Sequence, residues 1–145
     1  MEKQLEKLSH EDRMLLLRAP ALVSMLAACS DGGIDRKEKA DAIELSHLRT
    51  FTSPPILHPY YKEVEKIFEE ELERMIQMYC PMGEPQEQML KEEVEKVYEV
   101  LDQLDEKYRL ELWISLDSYA RHVGSVHQHF LEFFVFPLSI RGITE

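Results

Sequence analysis

The sequence predicts an all-helical bundle, on three observations. Apolar residues recur at intervals of three, four and seven over long stretches. No segment alternates apolar and polar residues as a half-buried strand does, and no Asn-Gly turn separates apolar runs. The chain has 145 residues, enough for one domain spanning 1–145 and too few for a second with its own core. With 44% hydrophobic and 31% charged residues it has the composition of a folding globular chain.

Ser9 is a good N-cap for a brief helix through about Arg18, with Glu11 and Asp12 in the first turn, where the helix dipole favours acids. Pro20 then suits the first position of a new helix, because its missing N–H would be unpaired there. From Ala21 to Cys29 only Ser24 is polar, so this helix is apolar all round and belongs in the middle of the bundle. Asp31-Gly32-Gly33 ends it. Asp35 opens the next helix, which runs to about Arg49, and Thr52-Ser53-Pro54-Pro55 forms a loop.

Between Tyr60 and Cys80 the residues Val64, Ile67, Phe68, Met75, Ile76 and Tyr79 form one apolar stripe, and Leu90, Val94, Val97, Leu101 and Leu104 form another between Gln86 and Leu104. The intervening PMGEP cannot continue a helix, so the two segments form an antiparallel helical hairpin. Asp105 starts a helix carrying Leu112, Leu116, Tyr119 and Ala120, which Gly124 ends, and a last helix runs from about Val126 to Ile140. The unit of apolar helix, glycine turn and helix around Ala21–Arg49 recurs around Leu112–Ile140, with Ala28 opposite Ala120, Gly32 opposite Gly124 and Ile34 opposite Val126. This pattern predicts two related helix-turn-helix halves flanking the hairpin.

The balance of 17 basic against 28 acidic residues gives a formal charge of −11, which repels phosphate backbones. Nucleic acid is therefore excluded as a partner, and a cation is favoured. Cys29 and Cys80 match neither a CxxC pair nor a metal-ligand spacing and are read as buried thiols in a reducing compartment. The opening MEKQLEKLSHEDR is too charged for a signal peptide, and no apolar run reaches the ~18 residues of a spanning helix. A cytoplasmic location is expected, with membrane contact indirect at most.

The densest chemistry lies in Asp31-Gly-Gly-Ile-Asp35-Arg-Lys-Glu38. Two glycines fold the backbone tightly, and three carboxylates converge on a hard divalent cation such as Ca²⁺ or Mg²⁺. The spacing is not that of an EF-hand. Capping also explains most of the turn, because Asp35 as N-cap with Glu38 three residues later makes a capping-box-like pair. Only Asp31 is left over by that account.

Other chemistry is thinner. Glu44-Leu-Ser-His47 is the E-x-x-H element of di-iron bundles, which need two copies and further inward glutamates. His127 and His129 point about 200° apart on a helix and are read as solvated residues at its start. With His122 they form the only alternative metal set, of imidazoles. The chain lacks G-x-S-x-G, a phosphate-cradling glycine loop and H-E-x-x-H, so no enzyme activity is expected. The runs Glu63–Arg74 and Lys91–Glu99 are read as solvated faces laced by pairs such as Glu70–Arg74 and Glu92–Lys96. The last helix, with Phe130, Phe133, Phe134 and Phe136, is read as core, or else as a patch for a homodimer or for docking a client protein.

The alanine-rich apolar helix followed by S-D-G-G-I-D-R-K-E, Ser30 to Glu38, resembles the signature of the tellurite-resistance TerB-like family, whose fold is shared with the N-terminal domain of DjlA-type membrane co-chaperones. The resemblance covers about Leu22–Glu44, with a weaker echo over Leu112–Gly142. It implies a compact helical bundle of two related halves and a metal cation at Asp31, Asp35 and Glu38. It also implies a non-enzymatic role in bacterial stress and tellurite resistance. The second half departs from the pattern, since Val123, His127 and Phe130 stand opposite the three acids. The expectation is a stress-response accessory or scaffold protein with a divalent cation of unspecified identity and an unidentified protein partner. The alternative is a metal-free interaction domain in which the acidic turn is only a helix cap.

Overall fold

The structure, a computed structural model, describes residues 3–27, 36–81 and 83–123. Within them the chain forms α1 (Lys3–Glu6), α2 (His10–Ala27), α3 (Arg36–Thr52), a 3-10 turn at Pro55–Leu57, α4 (His58–Tyr79), α5 (Glu84–Leu101) and α6 (Glu106–Val123). No strand occurs among the described residues. The all-helical class expected from periodicity is the fold observed.

Ser9 caps α2 as expected: its hydroxyl accepts the Asp12 N–H at 3.1 Å, and its carbonyl accepts the Arg13 N–H at 2.9 Å. The two helices expected on either side of Pro20 are, however, one helix of 18 residues with Pro20 inside it. A proline there deprives the carbonyl four residues earlier, that of Leu16, of its helical donor. The Tyr60 hydroxyl of α4 donates to that carbonyl at 2.6 Å instead. The buried Ser24 hydroxyl donates back to the Pro20 carbonyl at 2.8 Å. Both bonds keep polar groups satisfied in the core, which lets the helix run on.

Leu15, Leu16, Leu17, Ala19 and every residue from Ala21 to Leu26 are buried. α2 is the central helix, with α4, α5 and α6 packed against it, while α3 packs on α4 and α6. α4 and α5 follow one another through residues 80–83 and direct their apolar stripes to α2 more than to each other. The physical reason is α2 itself, whose all-round apolar surface offers each stripe a better face than the polar flank of the neighbour. Tyr60, Val64, Phe68, Leu72 and Met75 line the α4 stripe, and Leu90, Val94, Val97 and Leu101 line that of α5.

Three boundaries differ from expectation by two or three residues, each for a local reason. α3 reaches Thr52 because the Thr52 and Ser53 hydroxyls donate to the Leu48 and Arg49 carbonyls at 2.9 and 2.6 Å, occupying acceptors at its last turn. α5 begins at Glu84, since Pro85 fits a first turn and the Gln86 side chain reaches back to the Gly83 N–H at 3.1 Å. It stops at Leu101, with a turn leading to Asp105, whose carbonyl accepts the Arg109 N–H at the start of α6.

α1 was not foreseen. Leu5 is fully buried and Leu8 nearly so. The Gln4 side chain grips Asp105 from both sides: its amide donates to the carboxylate, and its oxygen accepts the Asp105 N–H at 2.9 Å. Lys7 adds an ion pair to the same carboxylate at 3.3 Å. The glycine-turn alignment of the two halves and the last helix, Val126–Ile140, fall outside the described residues.

Candidate functional site

Of the three acids expected to hold a cation, Asp31 and Asp35 lie outside the described residues, and Glu38 sits half-buried in the first turn of α3. The lysines beside it are drawn elsewhere: Lys37 pairs with Asp41 at 3.0 Å, and Lys39 pairs with Glu73 across on α4. An all-carboxylate donor set fits a hard divalent cation.

Glu44 and His47 are both exposed on α3, and His47 Nδ1 meets the Glu65 carboxylate of α4 at the surface. The E-x-x-H element is thus turned to solvent, where it links two helices. Cys80 carries a free thiol and is half-buried, less than expected, because it is the residue where α4 ends. Cys29, His127 and His129 lie outside the described residues, as does the side chain of His122. Among the described residues no three His, Cys, Asp or Glu side chains gather into a metal-sized group. The acidic runs are solvated as expected, but with partners shifted by one position: Lys96 pairs with Glu93 at 2.9 Å and Arg74 with Glu71.

Sequence reasoning missed a polar cluster where α3, α4 and α6 meet. Arg49 of α3 donates to the Ser118 hydroxyl of α6, which donates to the Ser115 carbonyl at 3.1 Å. The Ser115 hydroxyl bonds the Tyr61 hydroxyl of α4, and His58 Nε2 lies 2.7 Å from the Ser53 carbonyl. Tyr61 is fully buried. Burial pushes its pKa up to about 12 against the lowering pull of the Ser115 bond and the Arg49 charge, so the phenol stays protonated at neutral pH. The cluster orients three helices by hydrogen bonds. No local pattern marks it, since Arg49 and Ser118 are 69 positions apart.

A second polar region lies between α2, α4 and α5, in a cleft of about 180 Å³. Tyr79 is one of its lining residues, its pKa raised by burial and by Glu93 while Arg74, Lys96 and Arg18 pull it down. On α5, Tyr98 is likewise raised, by burial first and by the Asp117 charge second. Among the described residues no helix is long and apolar enough to cross a membrane. No family model, curated protein or solved structure matches the chain.

Proposed function

We propose that this chain is a TerB-like accessory protein of bacterial stress response that works in the cytoplasm by binding and without catalysis, and that Asp31, Asp35 and Glu38 hold a divalent cation. The observation that carries the reading is the position of Glu38. It is the third residue of α3, directly after the acidic Gly-Gly connection from the central helix α2. A cation there would tie the end of the core helix to the start of α3 and stiffen the turn, a surface on which a partner protein could then dock. The oxygen-only donor set favours Ca²⁺, Mg²⁺ or Mn²⁺.

One observation favours a second reading. α3 begins at Arg36 with Glu38 as its third residue, and in the sequence Asp35 stands directly before Arg36, the spacing of a capping box. Under that reading the domain binds its partner without metal.

Thermal unfolding of chelator-stripped protein with Ca²⁺, Mg²⁺, Mn²⁺, Ni²⁺ and Zn²⁺, beside Asp31→Asn, separates the two. A bound ion at a hundred times its Kd adds about 2.7 kcal/mol and visibly raises Tm. A rise in the parent that vanishes in Asp31→Asn supports the cation. A parent that responds to no ion leaves the cap alone.

A further inference from the structure

The α4–α5 hairpin has a seam, because both helices pack on α2 more than on each other. Met78 of α4 and Glu93 of α5 line one cleft there, over Arg18 and Leu22 of α2. Met89 precedes Glu93 by four residues, about one helical turn, so it stands on the same flank of α5, nearer the connection at residues 80–83. Met78 and Met89 thus border the seam from its two sides. They are 52% and 50% exposed, two of the four large apolar side chains exposed to that degree among the described residues. Methionine is unbranched and polarizable, so a pair of them at a surface adapts to apolar groups of varied outline.

The surroundings are strongly negative. From residue 69 to residue 99 the hairpin carries ten acidic residues and three basic ones. Each base is paired within its own helix, Arg74 with Glu71, Lys91 with Glu87 at 3.3 Å and Lys96 with Glu93 at 2.9 Å. The excess acids are exposed on both helices, Glu69 and Glu70 on α4 and Glu84, Glu92 and Glu95 on α5. Between α2 and α5 the seam runs on as a second cleft of about 370 Å³, which Arg18 and Glu93 also line and to which Glu11, Asp12 and Glu99 add three more carboxylates.

An apolar pair inside such a field selects its partner by chemistry. A second copy of the chain would set one acidic hairpin against another and be repelled. A segment with lysine or arginine on either side of an apolar stripe meets both features, and a helix suits a shallow seam between two helices, where side chains pack ridge into groove. We propose that the seam at Met78 and Met89 docks an amphipathic helix of a partner protein whose apolar stripe is flanked by basic residues. The proposal uses none of Asp31, Asp35 and Glu38, and its test is independent of a cation.

The test titrates the intact chain, carrying ¹³C-methyl methionine, with a synthetic leucine–lysine peptide about four helical turns long whose leucines fall on one face. Its controls are a scrambled peptide of the same composition without a stripe, and the striped peptide with glutamate for lysine. The striped lysine peptide is expected to shift the Met78 and Met89 methyl signals and to bind at least about tenfold more tightly than either control. Its affinity should fall several-fold when salt is raised to ~0.3 M, where exposed charges are screened. Met78→Ser combined with Met89→Ser should lose about tenfold in that affinity. Equal binding of the scrambled peptide overturns the proposal, because charge alone would then suffice, and equal binding of the glutamate peptide overturns it because the field would play no part. Shifts confined to other methionines, or seen at none, overturn it as well. Movement of both signals on dilution of the chain alone would assign the seam to a second copy and overturn it. These comparisons are made on the parent protein, so they decide the matter even if the double variant fails to fold.

Discussion

The Tyr60 hydroxyl donates to the Leu16 carbonyl at 2.6 Å, the acceptor that Pro20 strips of its helical partner. Tyr60 is fully buried against Tyr61 in an edge-on pair with ring centroids 4.9 Å apart, so the hydroxyl has little freedom to bond elsewhere. Tyr60→Phe leaves the carbonyl unpaired in the core and should cost about 1–3 kcal/mol, read from the urea midpoint. Pro20→Ala returns an N–H to Leu16. In that background the Tyr60→Phe cost should shrink by at least ~0.5 kcal/mol, and additive losses would show that the hydroxyl does not stand in for the missing amide.

Tyr61 makes an alkaline prediction. Its pKa rises from 10.0 to about 12 on folding because burial disfavours the phenolate. Between those two values the unfolded chain has lost the proton that the folded chain keeps, so unfolding releases protons and stability falls as pH rises. Below pH 10 the phenol is neutral in both states and contributes no slope. Across the window Tyr61 alone removes on the order of 2–3 kcal/mol. Tyr61→Phe should flatten that limb of a stability-against-pH curve measured by urea titration, and an unchanged slope would place the alkaline loss at other tyrosines.

Asp105 makes the acid counterpart. The Gln4 amide and then Lys7 hold its carboxyl below its usual value. A depressed carboxyl contributes stability that is present above the unfolded value of 3.8 and is lost as pH falls through the lower folded value. The group is exposed, so the effect is small and local. Hydrogen exchange of the Leu8 amide, which donates to the Leu5 carbonyl at 3.2 Å, should speed up in Asp105→Asn at neutral pH and converge with the parent at low pH.

Ser9→Ala removes the acceptor for the Asp12 N–H and should cost about 1 kcal/mol by thermal unfolding. A loss within error would mean that water takes over the capping bond.

The parts of this fold that were legible in the sequence are those set by residues close together in it. Val64, Phe68, Met75 and Tyr79 mark α4 by spacing alone, and Ser9 marks the start of α2. The unbroken course of α2 was not legible, because the donor that relieves Pro20 lies on Tyr60, 44 residues away from Leu16. The short α1 has too few residues for a periodic signal and is held by Asp105, some hundred positions on. The same holds for the polar groups. Glu44 and His47 were easy to notice as a motif and turn out to face solvent, whereas Arg18 has no motif around it and stands at the junction of two clefts. The acidic turn was the reverse case, a visible motif of which Glu38 alone falls among the described residues.

The central place of α2 divides the chain unequally. A cut within residues 80–83 would leave α1 to α4 on one fragment and α5 and α6 on the other, and both helices of the second fragment pack on a helix that only the first possesses. Peptide 84–145 should therefore be poorly structured by itself and gain helicity when mixed with peptide 1–83, an association that circular dichroism would register as more signal than the sum of the parts. A protein built this way can be severed between α4 and α5 and still reassemble, whereas a cut through α2 removes the surface that α4, α5 and α6 share.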